Sequence, residues 1–347
     1  MNYNKLKSMQ NMGSVFIAEA GINHDGNLKT AIKMIDAAVI AGADYVKFQS
    51  FRAKSLVTKN ALTSSYIDKG SHQGESFQDL LARLELTKDE HYILKEYCDS
   101  HNIKFLSTAF DNLSFDLLVA LGIDVVKVAS GDLTNIPFLQ YMAKANLPMI
   151  VSTGMGTLGE IEEAVNAIEA VGNNQIILMH CISWYPAEIS TTNLRYMSTL
   201  KNAFGYPVGY SDHTLGANMS IAARALGAVV LEKHFTLDST LFGPDHAASI
   251  EPKEMQDLIV GIREVEAGLG TTRREFSEKE LGQRKVHRKS IVVTKNIPQG
   301  ACFSWDNLEL KRPGIGIEPK YLLKILGKQA KNTLYADSLL DWSDISQ

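Results

Sequence analysis

The sequence predicts an α/β fold, a (β/α)8 barrel of the TIM type, followed by a small C-terminal module. Three observations carry this. From Val15 to about Gly270, short runs rich in β-branched residues alternate with longer stretches whose apolar residues recur every three or four positions. The unit repeats eight times, the number that closes a parallel barrel, over the roughly 250 residues usual for one. The first strand leads into Glu19-Ala-Gly-Ile-Asn-His-Asp-Gly26 rather than a G-x-G-x-x-G turn, which favours the barrel over a doubly wound open sheet.

In order, the strand candidates are Val15–Ala20, Tyr45–Gln49, Lys104–Thr108, Val125–Ala129, Met149–Thr153, Ile176–Cys181, Val208–Tyr210 and Val229–Phe235. Such short, nearly continuous apolar runs suit strands covered on both faces. Helical spacing is clearest over Leu28 to Ala41, Ile161 to Val171 and Ala217 to Leu226, and supplies the crossovers. The longest connection, Ser50 to about Leu84, reads as unstructured and lies on the C-terminal face, where long loops cover a substrate. These elements make 1–270 the barrel domain. Residues 271–287 turn polar and read as a linker, with Arg284, Lys285, Arg288 and Lys289 forming a basic, solvated run across its end. Residues 288–347, punctuated by Ile297-Pro-Gln-Gly300 and Arg312-Pro-Gly-Ile-Gly316, read as a turn-rich module, marginal by itself.

Composition narrows the function. The chain has 347 residues, is 45% hydrophobic and 21% charged, and carries a formal charge of −4. That describes a folded protein, too acidic to draw its affinity from nucleic-acid phosphates, so small molecules or other subunits are the expected partners. Cys98, Cys181 and Cys302 form no C-x-x-C pair. Neither a disulfide framework nor a thiolate zinc site is expected, and a reducing, cytoplasmic setting fits. No apolar run approaches the ~18 residues of a membrane span, and Met1 to Ser14 lacks the apolar core of a signal peptide.

Strand parity selects candidate site residues. In Tyr45-Val-Lys-Phe-Gln49, Val46 and Phe48 suit the helix layer, which turns Lys47 and Gln49 into the lumen; in Val125-Val-Lys-Val-Ala-Ser130 the same parity places Lys127 inside and Ser130 at the rim. Two lysines in one lumen repel unless an anion lies between them, although a single lysine also snorkels readily at a strand end. Thr108, Ser152 and Ser211 end other strands, and ammonium groups with hydroxyl donors suit a phosphate or carboxylate. His213 follows the seventh strand and His234 ends the eighth. Adjacent strands are about 4.8 Å apart, so two imidazoles there reach one divalent cation such as Mn2+, Co2+ or Fe2+. Strand-end histidines are as readily structural, and His24, His180 and His246 also lie near the mouth. Glu19 and Asp245 place carboxylates where they orient water, take its proton or accept sugar hydroxyls, whereas Asp212 and Asp132 equally suit loop caps.

The chain carries, in order, Ile17-Ala-Glu-Ala-Gly-Ile-Asn-His24, Val46-Lys-Phe-Gln49, Val126-Lys-Val-Ala-Ser-Gly131, Ser152-Thr-Gly-Met155, Gly209-Tyr-Ser-Asp-His-Thr214, Glu232-Lys-His-Phe235, Gly243-Pro-Asp245 and Lys311-Arg-Pro-Gly314. This combination closely resembles the sialic acid synthase family, the N-acetylneuraminate synthases, with the legionaminic and pseudaminic acid synthases included. It covers nearly the whole chain and makes the tail resemble an antifreeze-protein-like (SAF) domain.

The resemblance implies a transferase that condenses phosphoenolpyruvate with N-acetylmannosamine or a related amino-sugar aldehyde, giving a nine-carbon 2-keto acid and phosphate by C–O cleavage. It implies a divalent metal, Mn2+ foremost, with Mg2+ or Co2+ as substitutes, on His213 and His234. Lys47, Ser130 and Ser152 would hold the phosphoenolpyruvate carboxylate, and Thr108, Lys127, Ser183 and Ser211 its phosphate. Gln49, Asp132, Tyr185, Asp245 and Arg312 would contact the sugar, and Glu19 would activate water. Lys47 and Lys127 join Glu19 and Asp245 as the catalytic set. Arg312 would reach the partner's barrel in a domain-swapped homodimer. Asp132 stands where Glu is frequent, and Ile182 and Trp184 replace smaller or more polar residues beside Tyr185, so these positions bear on the sugar. The competing readings are a legionaminic or pseudaminic precursor or a sugar 6-phosphate as acceptor, a shorter-chain phosphoenolpyruvate aldol synthase, and a non-catalytic sugar-binding barrel.

Overall fold

A computed structural model describes residues 3–4, 13–63, 72 and 75–346. The parts of the Met1–Ser14 and Ser50–Leu84 readings that fall on other positions lie outside the described residues. The chain divides into two compact units, Met1–Gly270 and Thr271–Gln347.

The first unit is a closed parallel barrel of β1 (Val15–Gly21), β2 (Tyr45–Ser50), β3 (Lys104–Ala109), β4 (Val126–Val128), β5 (Met149–Ser152), β6 (Ile176–Cys181), β7 (Val208–Asp212) and β8 (Val230–His234). β8 closes on β1 with Ile17 opposite Glu232 and Glu19 opposite His234. The crossover helices are α1 (Leu28–Ala41), α4 (Lys88–Ser100), α5 (Asn112–Ala120), α6 (Ile136–Ala143), α7 (Leu158–Glu169), α8 (Tyr196–Phe204), α9 (Asn218–Ala225) and α10 (Pro252–Leu269). Their starts are written locally. Asn27 caps α1 by accepting from the backbone of Lys29 and Thr30, and Thr87 with Glu90 and Thr157 with Glu160 form reciprocal capping boxes on α4 and α7.

Alternation along each strand builds two cores. Phe16, Ala18, Val46, Phe48 and Phe105 face the helices, while Ile17, Tyr45, Leu106, Val125, Ile150 and Val230 plug the lumen. Two residues further up each strand, on the same face, the plug gives way to Glu19, Lys47, Thr108, Lys127, Ser152 and Glu232. The lumen is therefore dry and apolar below and polar at the C-terminal mouth.

The connection after β2 is not structureless, as expected from its polar composition. Its described residues include two helices, α2 (Ala53–Leu56) and α3 (Phe77–Leu84), and Leu80, Leu81 and Leu84 of α3 pack with Ile22, Phe51 and Ala53 into a small core of their own. Gly26 approaches this insertion so closely that a Cβ there would stand 2.2 Å from the carbonyl oxygen of Arg83, and its φ of 69° also favours glycine.

The second unit opens with α11 (Glu278–His287), so the polar stretch read as a linker is partly helical, with no buried side chain in the helix. A three-stranded antiparallel sheet follows, with β9 (Ser290–Val293) between β10 (Leu308–Lys311) and β11 (Ser338–Leu339), around a core that includes Ile291, Val293, Phe303, Leu308 and Ile325. The short α12 (Leu322–Ile325) belongs to that core. No helix among the described residues is long and apolar enough to cross a membrane.

Candidate active site

The mouth of the barrel holds a cavity of about 460 Å3, within the range of small-molecule sites. Glu19, Lys47, Gln49, Thr108, Lys127, Ser130, Ser152, Ser183, Tyr185, Ser211, His213, His234 and Asp245 all line it, as does Glu232. Asp132 is not among its lining residues. β4 ends at Val128, the chain turns into a short 3-10 helix over Ser130–Asp132, and the Asp132 carboxylate accepts from Asn135 Nδ2 at 3.1 Å. Arg312 lies in the second unit, exposed just after β10.

The two lysines sit in one network. Lys47 Nζ lies 2.9 Å from Glu19 Oε2 and donates to Thr108 Oγ1 at 3.0 Å; Lys127 Nζ donates to Ser152 Oγ at 2.7 Å. The hydroxyls thus pair with the lysines across the two anion-binding sets that the resemblance implies. Between the ammonium groups lies Glu232, its Oε2 3.7 Å from Lys47 and its Oε1 3.6 Å from Lys127. The anion needed to relieve their repulsion is therefore already part of the protein. Glu232 was not singled out among the lumen residues, although it shares strand parity with His234. Lys233, between them, points the other way and is paired at 3.0 Å with Asp212.

Electrostatics separates the two carboxylates. Burial pushes the Glu19 carboxyl up, only partly opposed by Lys47, to about 7. Burial would also raise Glu232, but Lys127 and then Lys47 more than offset it and hold the group at about 2. Glu232 is therefore a fixed anion, while Glu19 exchanges a proton near neutrality. Lys127 is lowered, chiefly by burial, whereas for Lys47 the two glutamates outweigh burial and raise it. Asp245 is pushed up by burial to about 6.

At the ends of β7 and β8, the His213 and His234 rings lie with centroids 5.4 Å apart. The His213 Nδ1 proton is directed at the Ile182 carbonyl oxygen, 2.7 Å away, which leaves Nε2 to face the cavity, 3.3 Å from Ser211 Oγ. Buried His234 Nδ1 has no hydrogen-bond partner among the described residues and stands 3.7 Å from Asp245 Oδ2. Burial lowers His213 to about 4; burial first, then His213 and Lys47, lower His234 as well. Both rings are neutral at pH 7 and so carry the lone pairs a cation requires.

Among the described residues no cluster of three or more His, Cys, Asp or Glu side chains is arranged for a metal. The two rings fit a divalent ion whose remaining ligands are oxygens of water and substrate. The other histidines read near the mouth make contacts outside this pair. His180 Nε2 meets the Thr192 carbonyl at 2.7 Å, His246 meets Thr236 Oγ1 at 2.6 Å and Asp25 at 3.2 Å, and His24 Nδ1 accepts from Gly26 N at 3.0 Å. Asp212 caps its loop, accepting from Thr214 and Ser220.

A barrel with acid, base and cationic groups converging at its mouth is the architecture of an enzyme. A model of the NeuB family matches residues 34–274, and one of the SAF domain matches residues 288–346. The chain belongs to the NeuB family. It is 44% identical over 329 residues to the N,N'-diacetyllegionaminic acid synthase of Campylobacter jejuni, covering 94% of this chain and 98% of that one. It is 41% identical over 338 residues to the enzyme of the same name from Legionella pneumophila, covering 96% and 95%. Among solved structures, the N-acetylneuraminic acid synthetase of Leptospira borgpetersenii, in complex with citrate, superposes with a TM-score of 0.70 at 34% identity, over 79% of this chain and 90% of that one.

Proposed function

We propose that the chain condenses phosphoenolpyruvate with the open-chain aldehyde of N-acetylmannosamine or a related amino sugar, releasing a nine-carbon 2-keto acid and inorganic phosphate. The observation that carries this reading is the juxtaposition of two buried ammonium groups, each with a hydroxyl partner, and two neutral imidazoles across one cavity. Lys47 and Lys127, with Ser130, Ser152, Ser183, Thr108 and Ser211 nearby, grip the two anionic ends of phosphoenolpyruvate and fix its C3 beside the aldehyde, a contribution of proximity and charge.

C3 attacks the aldehyde carbon and the aldehyde oxygen takes a proton from solvent, to which Glu19 later returns the one it removes from water. Water adds at C2, giving its proton to the Glu19 carboxylate. The bond from C2 to the bridging oxygen then breaks, phosphate leaves with that oxygen and takes up the proton of the new C2 hydroxyl, and C2 becomes the ketone. His213 Nε2 and His234 Nδ1 would hold a divalent ion, Mn2+ foremost, which when bound polarises the aldehyde. Gln49, Tyr185 and Asp245 orient the sugar.

Phosphate release from phosphoenolpyruvate in the presence of Mn2+ and a panel of aldoses and amino sugars tests the reaction. Turnover should require an amino sugar and stop with a chelator; silence with every amino sugar rejects it, and chelator-resistant turnover rejects the ion.

Glu19 sets the pH dependence. Water activation needs its carboxylate, so activity is lost as pH falls through the value of about 7 in the free enzyme. In kcat/KM against pH, the acid limb should approach a tenfold fall per unit below about 6. The same limb surviving in the residual activity of Glu19→Gln would assign it to another group.

A domain-swapped dimer, in which Arg312 of the partner subunit completes each site, is part of the proposal. Arg312→Ala and His213→Ala chains should each be nearly inactive. Dissociated and reassociated together, they should regain about a quarter of wild-type activity, since about half the dimers are mixed and each mixed dimer has one intact site. No recovery would place Arg312 at its own chain's site.

A further inference from the structure

The ladder between β7 and β8 runs up to Asp212 paired with Lys233. His213 therefore stands one residue beyond the last pair, while His234 is still within β8, opposite Glu19. Past that point a side chain ties the loop after β7 to β8. Lys233 Nζ lies 3.0 Å from Asp212 Oδ2 and donates to the Thr214 carbonyl at 2.6 Å. Asp212 Oδ1 in turn accepts from Thr214 N at 2.9 Å and Thr214 Oγ1 at 2.8 Å, and its Oδ2 accepts from Ser220 Oγ of α9 at 2.7 Å. One ammonium thus grips both chain neighbours of His213, and it belongs to the residue next to His234. Asp212, Thr214, Ser220 and Lys233 are all buried and lie outside the cavity lining.

A buried ion pair adds little net stability over apolar residues of the same volume, but its bonds are directional. Direction matters here. The His213 ring is aimed by the Ile182 carbonyl, yet its distance from His234 depends on where the loop after β7 lies relative to β8. With centroids 5.4 Å apart, the two rings share one ion only within a narrow window, because bonds from metal to imidazole nitrogen are only about 2 Å long.

We propose that Lys233 is a positioning residue for the divalent ion: acting through Asp212 and Thr214, it fixes His213 against His234 at the separation at which one cation bridges both rings. This rests on the assignment of the ion to that pair made above.

Mn2+ binding to the full chain tests it, read from the electron paramagnetic resonance signal of free Mn2+ with the metal alone as the probe. Lys233→Met should weaken binding by about tenfold to a hundredfold relative to wild type. It should also lower the unfolding temperature, since Asp212 is left as an unpaired buried charge. Adding Asp212→Asn removes that charge and keeps an oxygen for Thr214, so the double variant should recover most of the unfolding temperature but not the Mn2+ affinity. Phosphoenolpyruvate should still protect both variants against thermal unfolding, which reports an intact lysine and glutamate floor. Wild-type affinity in Lys233→Met, or affinity that returns with stability in the double variant, overturns the inference and leaves the ion pair a packing element. Loss of phosphoenolpyruvate protection together with the metal also overturns it, as a general collapse of the mouth. A wild-type chain that binds Mn2+ no better than His213→Ala instead rejects the ion at this pair, and the role of Lys233 with it.

Discussion

Replacing Glu232 by Gln should cost about 3–5 kcal/mol of stability, the range for breaking a buried charge network by removing one member. Glu232 is 3% exposed and is the carboxylate that Lys47 and Lys127 share. Without it Lys47 retains Glu19 at 2.9 Å, but among the described residues Lys127 keeps only the Ser152 hydroxyl and a long contact to the Val128 carbonyl. Two further results follow from the cause. Adding Lys127→Met to Glu232→Gln should recover most of the loss, because the stranded cation is removed as well. In the parent chain the contribution of Glu232 has the sign of a depressed acid: present above its ordinary value of 4.5, and lost as pH falls through about 2. Urea unfolding of the three chains at pH 7 measures this. A loss under about 1 kcal/mol for Glu232→Gln would mean that the lysines do not depend on it.

The second large effect is on turnover. His213→Ala should lower kcat/KM by about a thousandfold, the scale of several kcal/mol of charge stabilisation, and should remove the response to added Mn2+. The substitution leaves the lysine and glutamate floor in place, so phosphoenolpyruvate should still bind, as protection against thermal unfolding would show. Loss of both binding and stability would make His213 a packing residue. Full activity would exclude it as a metal ligand. Its neighbour Tyr185, whose ring lies 4.1 Å from His213, offers a contrast, since its loss should act mainly on the acceptor KM.

Much of this arrangement is legible in the chain because a parallel barrel imposes simple rules. Strands covered on both faces must be apolar, and a lumen residue must share parity with its neighbours two positions away. Lys47, Gln49 and Lys127 stand out against Val46, Phe48, Val126 and Val128 for that reason. Glu232 does not, because Glu232-Lys233-His234 is a run of three polar residues and no apolar neighbour marks which face is which. Only the pairing of Lys233 with Asp212 on the helix side shows the alternation persisting. Asp132 lies outside the cavity lining for a different reason. β4 is three residues long, and the 3-10 turn that follows carries the side chain out of the cavity lining.

The insertion after β2 carries a legible signal that its surroundings hide. Phe77, Leu80, Leu81 and Leu84 have the spacing of one helical face behind the Ser76 cap, yet they close a long polar segment. Its consequence is more than local, since Phe77, Leu80, Leu81 and Leu84 of this helix line the cavity at the barrel mouth. The SAF domain was legible as a turn-rich module by its Pro and Gly punctuation, whereas its three-stranded order, with β9 in the middle, depends on non-local pairing that no local pattern records.

The claim on which the rest depends is that phosphoenolpyruvate reacts with cleavage of its C–O bond. Phosphoenolpyruvate carrying heavy oxygen in the bridge between C2 and phosphorus, turned over with an amino-sugar acceptor and Mn2+, tests it in one measurement by mass spectrometry. All of the label should appear in inorganic phosphate and none in the keto acid, whose new carbonyl oxygen comes from water. Label retained at C2 of the product would show P–O cleavage and contradict the mechanism.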